Sequence, residues 1–335
     1  MKTDRKTRRT IDDIMAIAHG FRQSLILAVA NRIGIFEITG ETALDAKTIA
    51  KKLKLDPEAL ELLLNALTGA GWLTKRGTTY ALQPHFRQFL TRKGSHYIGD
   101  ILRHNYFCMT SWMNLEDIVR KGRSKHAVER ERLHQSELLE AFIRGMADIS
   151  RYETAEVMDV LNPGRFTLMV DLGGGPGCAA IECCRRNPDL RAIVFDHPQV
   201  VPIALEEIAA AGMNTRIAVI GGDFTLEIPV RGADFMYLSN IIHSYSLQVN
   251  EKVLRRCHKS LVSGGTIVVK DFFLDRNRTH PPANSMFALN MLVNTNGGRT
   301  FTVEEVKMML RKTLFTSIRV NTVNARSSLI TARKP

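Results

Sequence analysis

The stretch from Val170 to Asp196, VDLGGGPGCAAIECCRRNPDLRAIVFD, determines the fold expected for the C-terminal half of the chain. An apolar run at residues 167–172 predicts a strand, the glycines at 173–177 predict a turn, and residues 177–186 predict a helix. Glycine permits a left-handed backbone and the close approach of a ligand. The free N–H groups at the start of the helix point into the same turn. The stretch therefore predicts either a cofactor cradle or, as the alternative, a tight turn that binds nothing.

Strands and helices alternate over the rest of this half. Further strands are predicted at residues 192–195, 217–220, 233–239 and 266–272, with helices at 198–211 and 249–261 between them. Short apolar strands interleaved with helices are typical of a parallel, doubly wound, Rossmann-like sheet of the α/β class. In such a sheet, ligands bind at the carboxyl ends of the strands.

The N-terminal half predicts helices followed by a short hairpin. Residues 11–36 have apolar side chains at helical spacing, Asp45 and Asp56-Pro57 are helix starts, and residues 72–82 predict a hairpin. Helix, helix, hairpin is a winged-helix arrangement. We expect a basic arm at 1–10, a winged-helix-like domain at 11–95, a helical linker at 96–162, and a cofactor-binding domain at 163–335.

Composition narrows the class of protein. The chain has 335 residues, is 44% hydrophobic and carries a formal net charge of +12, much of it in the N-terminal arm. We expect that arm to be solvated and frayed rather than bound to nucleic acid. No apolar run reaches the roughly 18 residues of a membrane span, and the start lacks the apolar region of a secretory signal. Five cysteines without a CxxC pair predict reduced thiols, a cytoplasmic location and no metal site.

Three acidic residues follow three successive predicted strands. Asp171 stands just before the glycines, where its carboxylate would repel a phosphate and attract an ammonium group. Asp196 can accept hydrogen bonds from both hydroxyls of a ribose, and Asp223 can accept from an adenine amino group, with Phe224 against the adenine ring. A nicotinamide fingerprint requires a third glycine where this chain has Cys178. The pattern favours S-adenosyl-L-methionine as the cofactor.

The ordered motifs resemble those of the two-domain, S-adenosylmethionine-dependent O-methyltransferases, the acetylserotonin, caffeate and hydroxyneurosporene O-methyltransferase family. VDLGGGPG, VFDHPQVV, GGDF, LSNIIHSYS and NTNGGRT occur in the family's order over nearly the whole chain. The resemblance implies a methyltransferase sheet, a homodimer formed through a dimerisation domain at 11–95, and a small-molecule acceptor. It also implies that the linker at 96–162 contributes to the acceptor pocket and that the enzyme has a place in secondary metabolism.

The resemblance also implies particular site residues. The cofactor-binding set is Asp171, Gly173, Gly175, Gly177, Asp196, Asp223, Phe224 and Ser239, the last standing where many members have a lysine. The family's catalytic histidine falls on His243, and its histidine-orienting glutamate falls on Thr300. Another residue must therefore orient His243, and Asp271 and Asn294 are the candidates.

The acceptor pocket is expected to be lined by two helices. Phe142 and Met146 match a family Phe-x-x-x-Met pattern. The run MFALNMLVNTN places further candidates on or near one helical face, namely Met286, Phe287, Asn290, Met291 and Asn294. A further candidate wall consists of Tyr106, Phe107, Met109 and Trp112.

These features predict in-line methyl transfer to a hydroxyl of an aromatic, polyketide-like or isoprenoid acceptor, with His243 as general base. A carbon or nitrogen acceptor and a cofactor-binding protein without transferase activity remain alternatives. A winged-helix DNA-binding regulator is a third alternative. Residues 57–72, the presumed recognition helix, contain no Arg or Lys to contact DNA.

Overall fold

The structure is a computed structural model, and it describes residues 5–122 and 136–335. The chain divides between Met109 and Thr110 into two compact units. The predicted domain boundaries at 95 and 162 stay predictions. Within the described ranges, no helix combines the length and the apolar character needed to cross a bilayer.

The first unit is mainly helical and contains a small antiparallel sheet. Its elements are α1 (Arg5–Arg32), α2 (Ile35–Glu41), β1 (Leu44–Asp45), α3 (Ala46–Leu53), α4 (Pro57–Gly69), β2 (Leu73–Arg76), β3 (Thr79–Leu82), α5 (Arg87–Leu90) and the start of α6 (Gly99–Trp112). The strand order is β1-β3-β2. Asp45 and Asp56 cap α3 and α4 as expected, each accepting a backbone N–H three residues on.

The helix expected to contact DNA in a regulator packs one apolar stripe into this unit. Leu60, Leu64 and Leu67 of α4 are at most 3% exposed and lie in one core with Ile49 and Tyr80. The apolar spacing of the sequence therefore corresponds to a core-facing stripe.

The N-terminal arm differs from the prediction. Residues 1–4 lie outside the described residues, whereas residues 5–10 form the first turns of α1 rather than a separate arm. Arg and Lys are good helix formers, and the chain has no Gly or Pro before Gly20 to interrupt the helix. Asp12 and Asp13 also follow Arg8 and Arg9 at a spacing of four, which favours helix.

The second unit has a large sheet between layers of helices. After α6 come α7 (Leu115–Lys121), α8 (Ser136–Leu161), β4 (Leu168–Leu172), α9 (Cys178–Arg186), β5 (Arg191–Asp196), α10 (Val201–Ala210), β6 (Ile217–Gly221), β7 (Ala233–Ser239), α11 (Leu247–Ser260), β8 (Leu261–Asp271), α12 (Pro282–Asn294), α13 (Val303–Lys312), β9 (Thr316–Thr322) and β10 (Ser328–Arg333). One hydrophobic cluster lies on each face of this sheet.

The sheet confirms the predicted class. Its order is β6-β5-β4-β7-β8-β10-β9, and the first five strands are parallel. The last two strands, which the sequence analysis did not predict, are antiparallel. Only residues 323–327 join β9 to β10, and so short a link allows only an antiparallel pair.

The position of β4 and β7 determines where a ligand can bind. From β4 the chain builds the sheet towards β5 and β6, and then crosses to β7 and β8 on the other side. In open α/β sheets the crevice at this switch point, beyond the carboxyl ends of the strands, is the ligand site. The glycine turn follows β4 and His243 follows β7, so both border this crevice.

Candidate active site

The glycine turn after β4 has the backbone of a ligand cradle. Gly173, Gly175 and Gly177 have φ values of 67°, 54° and 83°, which are costly for any residue with a Cβ. A Cβ added at Gly175 would meet no atom within 4 Å, so that face of the turn is open. A Cβ added at Gly174 would lie 2.6 Å from the Asp171 Cγ, so the turn is closely packed on the carboxylate side.

Asp171 is a buried carboxylate with an unused acceptor. Asp171 is 1% exposed, and its Oδ2 atom has no hydrogen-bond partner among the described residues. The pKa of Asp171 is raised to about 7, mainly by burial; a backbone hydrogen bond lowers the pKa and the nearby Asp196 carboxylate raises it. A ligand ammonium group would satisfy this oxygen, which fits the amino-acid end of S-adenosylmethionine.

Asp196, at the end of β5, is held in place by the glycine turn. Its Oδ2 accepts from Gly175 N at 2.7 Å and its Oδ1 accepts from His197 N at 2.7 Å. Burial raises the pKa of this carboxyl. Each carboxylate oxygen can accept more than one hydrogen bond, so capacity remains for two ribose hydroxyls.

Asp223 and Phe224 lie at the end of the next parallel strand. Asp223 Oδ1 accepts from the backbone and hydroxyl of Thr225, at 2.8 Å and 2.6 Å. Phe224 is 2% exposed and packs edge-on against Tyr245, with centroids 5.7 Å apart. A Cβ at Gly173 would lie 3.5 Å from the Phe224 ring. The aromatic ring therefore borders the cradle from within the core.

His243 lies in a short 3-10 turn four residues after β7 ends at Ser239. The residue is 8% exposed, and its Nδ1 lies 2.7 Å from Asp271 Oδ1. Asp271, the last residue of β8, also accepts from the His243 backbone N–H at 3.4 Å and from Phe272 N at 2.7 Å. Of the two predicted orienting candidates, the structure places Asp271 on His243.

One side chain connects this turn to the cradle. A Cβ at Gly173 would lie 3.0 Å from the Cγ1 of Ile241, which is two residues before His243. The glycine turn and the histidine turn are thus in packing contact. The groups predicted for the cofactor and for proton transfer border one crevice.

Thr300 lies on the segment that follows α12 and runs beside the His243 backbone. Arg299 N donates to His243 O at 2.7 Å. Thr300 is 2% exposed, and its Oγ1 has no hydrogen-bond partner in the part of the chain that the structure describes. The family glutamate position is therefore filled by a small buried hydroxyl.

Two aromatic rings flank the His243 imidazole. The Phe287 ring of α12 meets it edge-on at a centroid distance of 4.9 Å, and the Phe272 ring is stacked at 6.4 Å. Phe272 was missed in the sequence. Its signal is the aromatic pair directly after Asp271.

The predicted acceptor residues on α12 differ in their exposure and in their hydrogen bonds. Asn290 Oδ1 accepts from Trp112 Nε1 at 2.9 Å and from Asn294 Nδ2 at 2.8 Å. Met291 is 7% exposed, whereas Met286 is 60% exposed. The structure therefore brings Asn290, Asn294 and Trp112 together beside Phe287.

The remaining acceptor candidates lie on the helices α6 and α8. Phe142 and Met146 are one turn apart on α8, and Phe142 is 41% exposed. Tyr106 and Phe107 lie against the Arg32 guanidinium in the first unit, at 4.5 Å and 5.5 Å. A role for these residues in acceptor binding stays a prediction.

Sequence reasoning missed a buried ion pair next to the site. Lys270 is 2% exposed, and its Nζ donates to Glu153 Oε2 at 2.6 Å and to Asn240 Oδ1 at 3.2 Å. Asn240 lies between Ser239 and the histidine turn and has a φ of 57°. Lys270 therefore connects α8 to the segment that carries His243.

Fold and site together fit an α/β enzyme whose cofactor is a nucleoside with a cationic amino-acid end. The family model for the O-methyltransferase domain matches residues 112–316, and the model for the O-methyltransferase dimerisation domain matches residues 15–92. The chain belongs to the S-adenosylmethionine-dependent O-methyltransferase family. Its cofactor is S-adenosyl-L-methionine, and the dimerisation domain supports a homodimer.

Individual relatives align with most of the chain. The bovine (Bos taurus) acetylserotonin O-methyltransferase is 31% identical over 95% of this chain and 96% of its own length. The 3-hydroxy-5-methyl-1-naphthoate 3-O-methyltransferase of Streptomyces sahachiroi is 29% identical over 88% and 86%, respectively. The crystal structure of human N-acetylserotonin methyltransferase in complex with S-adenosylmethionine superposes with a TM-score of 0.84 at 27% identity, covering 99% of both chains.

Proposed function

We propose that this protein methylates an aromatic hydroxyl of a small acceptor and that His243 is the general base. Bound S-adenosylmethionine supplies an electrophilic methyl group on a sulfonium. The chain's own contribution is to hold the acceptor in line and to take up its proton. The observation that carries the proposal is the contact between His243 Nδ1 and Asp271 Oδ1 at 2.7 Å.

This contact supports different roles for the two imidazole nitrogens. An ionised carboxylate only accepts hydrogen bonds, so Nδ1 must carry a proton when it contacts Asp271. In the neutral ring, Nε2 then has the free lone pair that can accept the acceptor's hydroxyl proton. Asp271 also stabilises the imidazolium that forms, so one carboxylate takes the place of the missing glutamate at Thr300.

The named substrates of the relatives support an aromatic acceptor. One relative acts on a hydroxynaphthoate and another on acetylserotonin. The Phe287 and Phe272 rings beside His243 offer the apolar, aromatic surroundings that such a molecule requires. A polyketide-derived aromatic acceptor is consistent with the proposed place in secondary metabolism. We keep the cytoplasm as the proposed location because all five cysteines are free thiols.

The test is a product assay with methyl-labelled S-adenosylmethionine. Purified protein is incubated with naphthols, hydroxynaphthoates, hydroxyindoles and a cell extract, and labelled products are identified by mass. We expect label in an ether of a hydroxyaromatic compound. Label on carbon or nitrogen, or cofactor binding without any labelled product, would contradict the proposal.

A further inference from the structure

The carboxyl end of strand β8 holds the segment 240–243 at both of its ends. Lys270 O accepts from the backbone N–H of Asn240 at 2.9 Å, and the next residue, Asp271, contacts His243 through its carboxylate. Successive side chains of a strand point to opposite faces of the sheet. The Lys270 side chain therefore leaves β8 on the other face, where it meets Glu153 of α8.

The ammonium group of Lys270 has three neighbours. Its Nζ donates to Glu153 Oε2 at 2.6 Å and to Asn240 Oδ1 at 3.2 Å, and it lies 4.9 Å from the centroid of the Phe272 ring. The Phe272 ring is in turn stacked beside the His243 imidazole. One buried cation therefore contacts α8, the residue that follows β7, and a ring that flanks the imidazole.

Asn240 is the residue in this network whose conformation needs support. Its φ of 57° lies in the left-handed region, which costs free energy for a residue with a Cβ, although Asn tolerates it better than most. Such conformations persist where the surroundings hold them. Lys270 holds both the backbone N–H and the side-chain oxygen of Asn240. It thereby fixes the point at which the chain leaves β7 for the turn that carries His243.

Stability alone gives little reason for a charge at position 270. Lys270 is 2% exposed, and Val268, two positions earlier on the same face of the strand, lies in an apolar cluster. Replacing a buried ion pair by apolar residues of similar volume is often neutral or stabilising. An apolar side chain at this position could not donate to Asn240. The orientation of the histidine turn is therefore the property that the ammonium group adds.

We infer that Lys270 is a positioning residue for methyl transfer. Its ammonium group, held by Glu153, fixes Asn240 and Phe272, and through them it keeps the His243 imidazole against Asp271. The inference rests on the proposed function, because it takes His243 as the base. Lys270 acts only through the histidine turn and does not itself take up the proton.

The nitrogen chemical shifts of the His243 ring test this inference without turnover. Protein carrying isotopically labelled histidine is measured with S-adenosylhomocysteine at pH 9, well above the ordinary pKa of an imidazole. The His243 signals are identified by their absence from His243→Gln. In the unsubstituted protein we expect a single tautomer with the proton on Nδ1. In Lys270→Met, whose side chain has a similar length and no charge, we expect a mixture of tautomers.

Kinetics on the identified acceptor separate positioning from stability. We expect Lys270→Met to lower kcat by about 10-fold to 10²-fold, the scale of a misplaced catalytic group, with an unchanged dissociation constant for S-adenosylmethionine. The double variant Glu153→Leu, Lys270→Met leaves neither charge buried and should recover stability relative to Glu153→Leu. Its kcat should nevertheless stay as low as that of Lys270→Met. If Lys270→Met does not fold, the double variant carries both measurements.

A matched control removes a different ion pair of α8. Arg186 Nη1 lies 2.5 Å from Asp159 Oδ1 of this helix, and Arg186→Met should change neither the tautomer of His243 nor kcat. Equal effects of this control and of Lys270→Met would overturn the inference, because they would belong to the packing of α8 in general.

The inference is also overturned if His243 keeps a single Nδ1–H tautomer in the Lys270 variants, or if kcat is unchanged in them or recovers together with stability. Failure of the proposed function would look different. His243→Gln would then turn over the acceptor as fast as the unsubstituted protein, or no methyl ether would form from any hydroxyaromatic compound. The ring signals of His243 would in that case still report whether Lys270 positions the turn.

Discussion

The Nδ1 atom of His243 and the Oδ1 atom of Asp271 lie 2.7 Å apart, although the two residues come from the ends of different strands. β7 and β8 are parallel neighbours, so their carboxyl ends meet at one edge of the sheet. The register pairs Ser239 with Lys270, which places the turn after β7 directly beside Asp271. The contact between His243 and Asp271 thus follows from the sheet itself.

Replacing the orienting carboxylate should impair turnover more than binding. In Asp271→Asn the amide can present either its oxygen or its amino group to Nδ1, so the tautomer with a free Nε2 is no longer enforced. We expect kcat to fall by about 10²-fold or more, within the range for general-base catalysis, with little change in KM. Steady-state kinetics on the identified acceptor measure this, and an unchanged kcat would exclude Asp271 as the orienting residue.

Asp171→Asn should act in opposite directions on stability and on cofactor affinity. The pKa of Asp171 is raised to about 7, against about 3.9 in an unfolded chain. Between these values the folded state binds more protons than the unfolded state, so the contribution of this group to the free energy of unfolding falls as pH rises. Without cofactor, the variant should be more stable than wild type at pH 8 and similar at pH 5.

The affinity of the Asp171→Asn variant for S-adenosylmethionine should fall by about tenfold or more, because a charged hydrogen bond to the ammonium group of the cofactor is lost. Thermal unfolding at the two pH values and calorimetric titration supply both measurements. Unchanged affinity would show that Asp171 does not contact the cofactor.

The buried pair of Lys270 and Glu153 should be required for stability only as a pair. Glu153→Leu leaves the Lys270 ammonium, which is 2% exposed, with Asn240 as its remaining acceptor. Loss of one partner of a buried ion pair costs about 3–5 kcal/mol. The double variant Glu153→Leu, Lys270→Met should be more stable than Glu153→Leu alone. Unfolding in urea measures the free energy of unfolding of each variant. The account is contradicted if the losses caused by the two substitutions simply add in the double variant.

The exposed stripe on α1 should mediate the homodimer. Ile14, Ile17 and Phe21 are 60%, 83% and 62% exposed in the single chain and share one helical face. Ile17→Glu combined with Phe21→Glu should yield a monomer by light scattering. The control Gln23→Glu changes a polar exposed residue of the same helix and should remain dimeric. A dimer that survives the double substitution would place the interface elsewhere.

The parallel strands were predictable from sequence, whereas the antiparallel edge was not. β4 to β8 contain short apolar runs between helices, and such runs are typical of strands buried on both faces. β9, TSIRVNT, is polar and largely exposed, so it lacks this signal. β8 begins at Leu261, whereas the sequence predicted its start at residue 266. The predicted start was too late because Gly264 and Gly265 interrupt the apolar run of the strand.

The candidate site likewise has a part that was predictable from the sequence and a part that was not. Asp171, Asp196 and Asp271 lie at the carboxyl ends of their strands, so the topology alone brings them to one edge of the sheet. The contact of Trp112 with Asn290 joins residues 178 positions apart, and that of Glu153 with Lys270 spans 117. Such contacts depend on how helices pack against the sheet, which no local pattern in a single sequence encodes.

Substitution of His243 tests the central claim most directly. His243→Gln keeps a polar side chain of similar size and removes the base, while the glycine cradle and the three aspartates at the cofactor site are unchanged. The account predicts an unaltered dissociation constant for S-adenosylmethionine and turnover of the identified hydroxyl acceptor reduced by about 10²–10⁴-fold at pH 7. Turnover equal to that of the unsubstituted protein would contradict it.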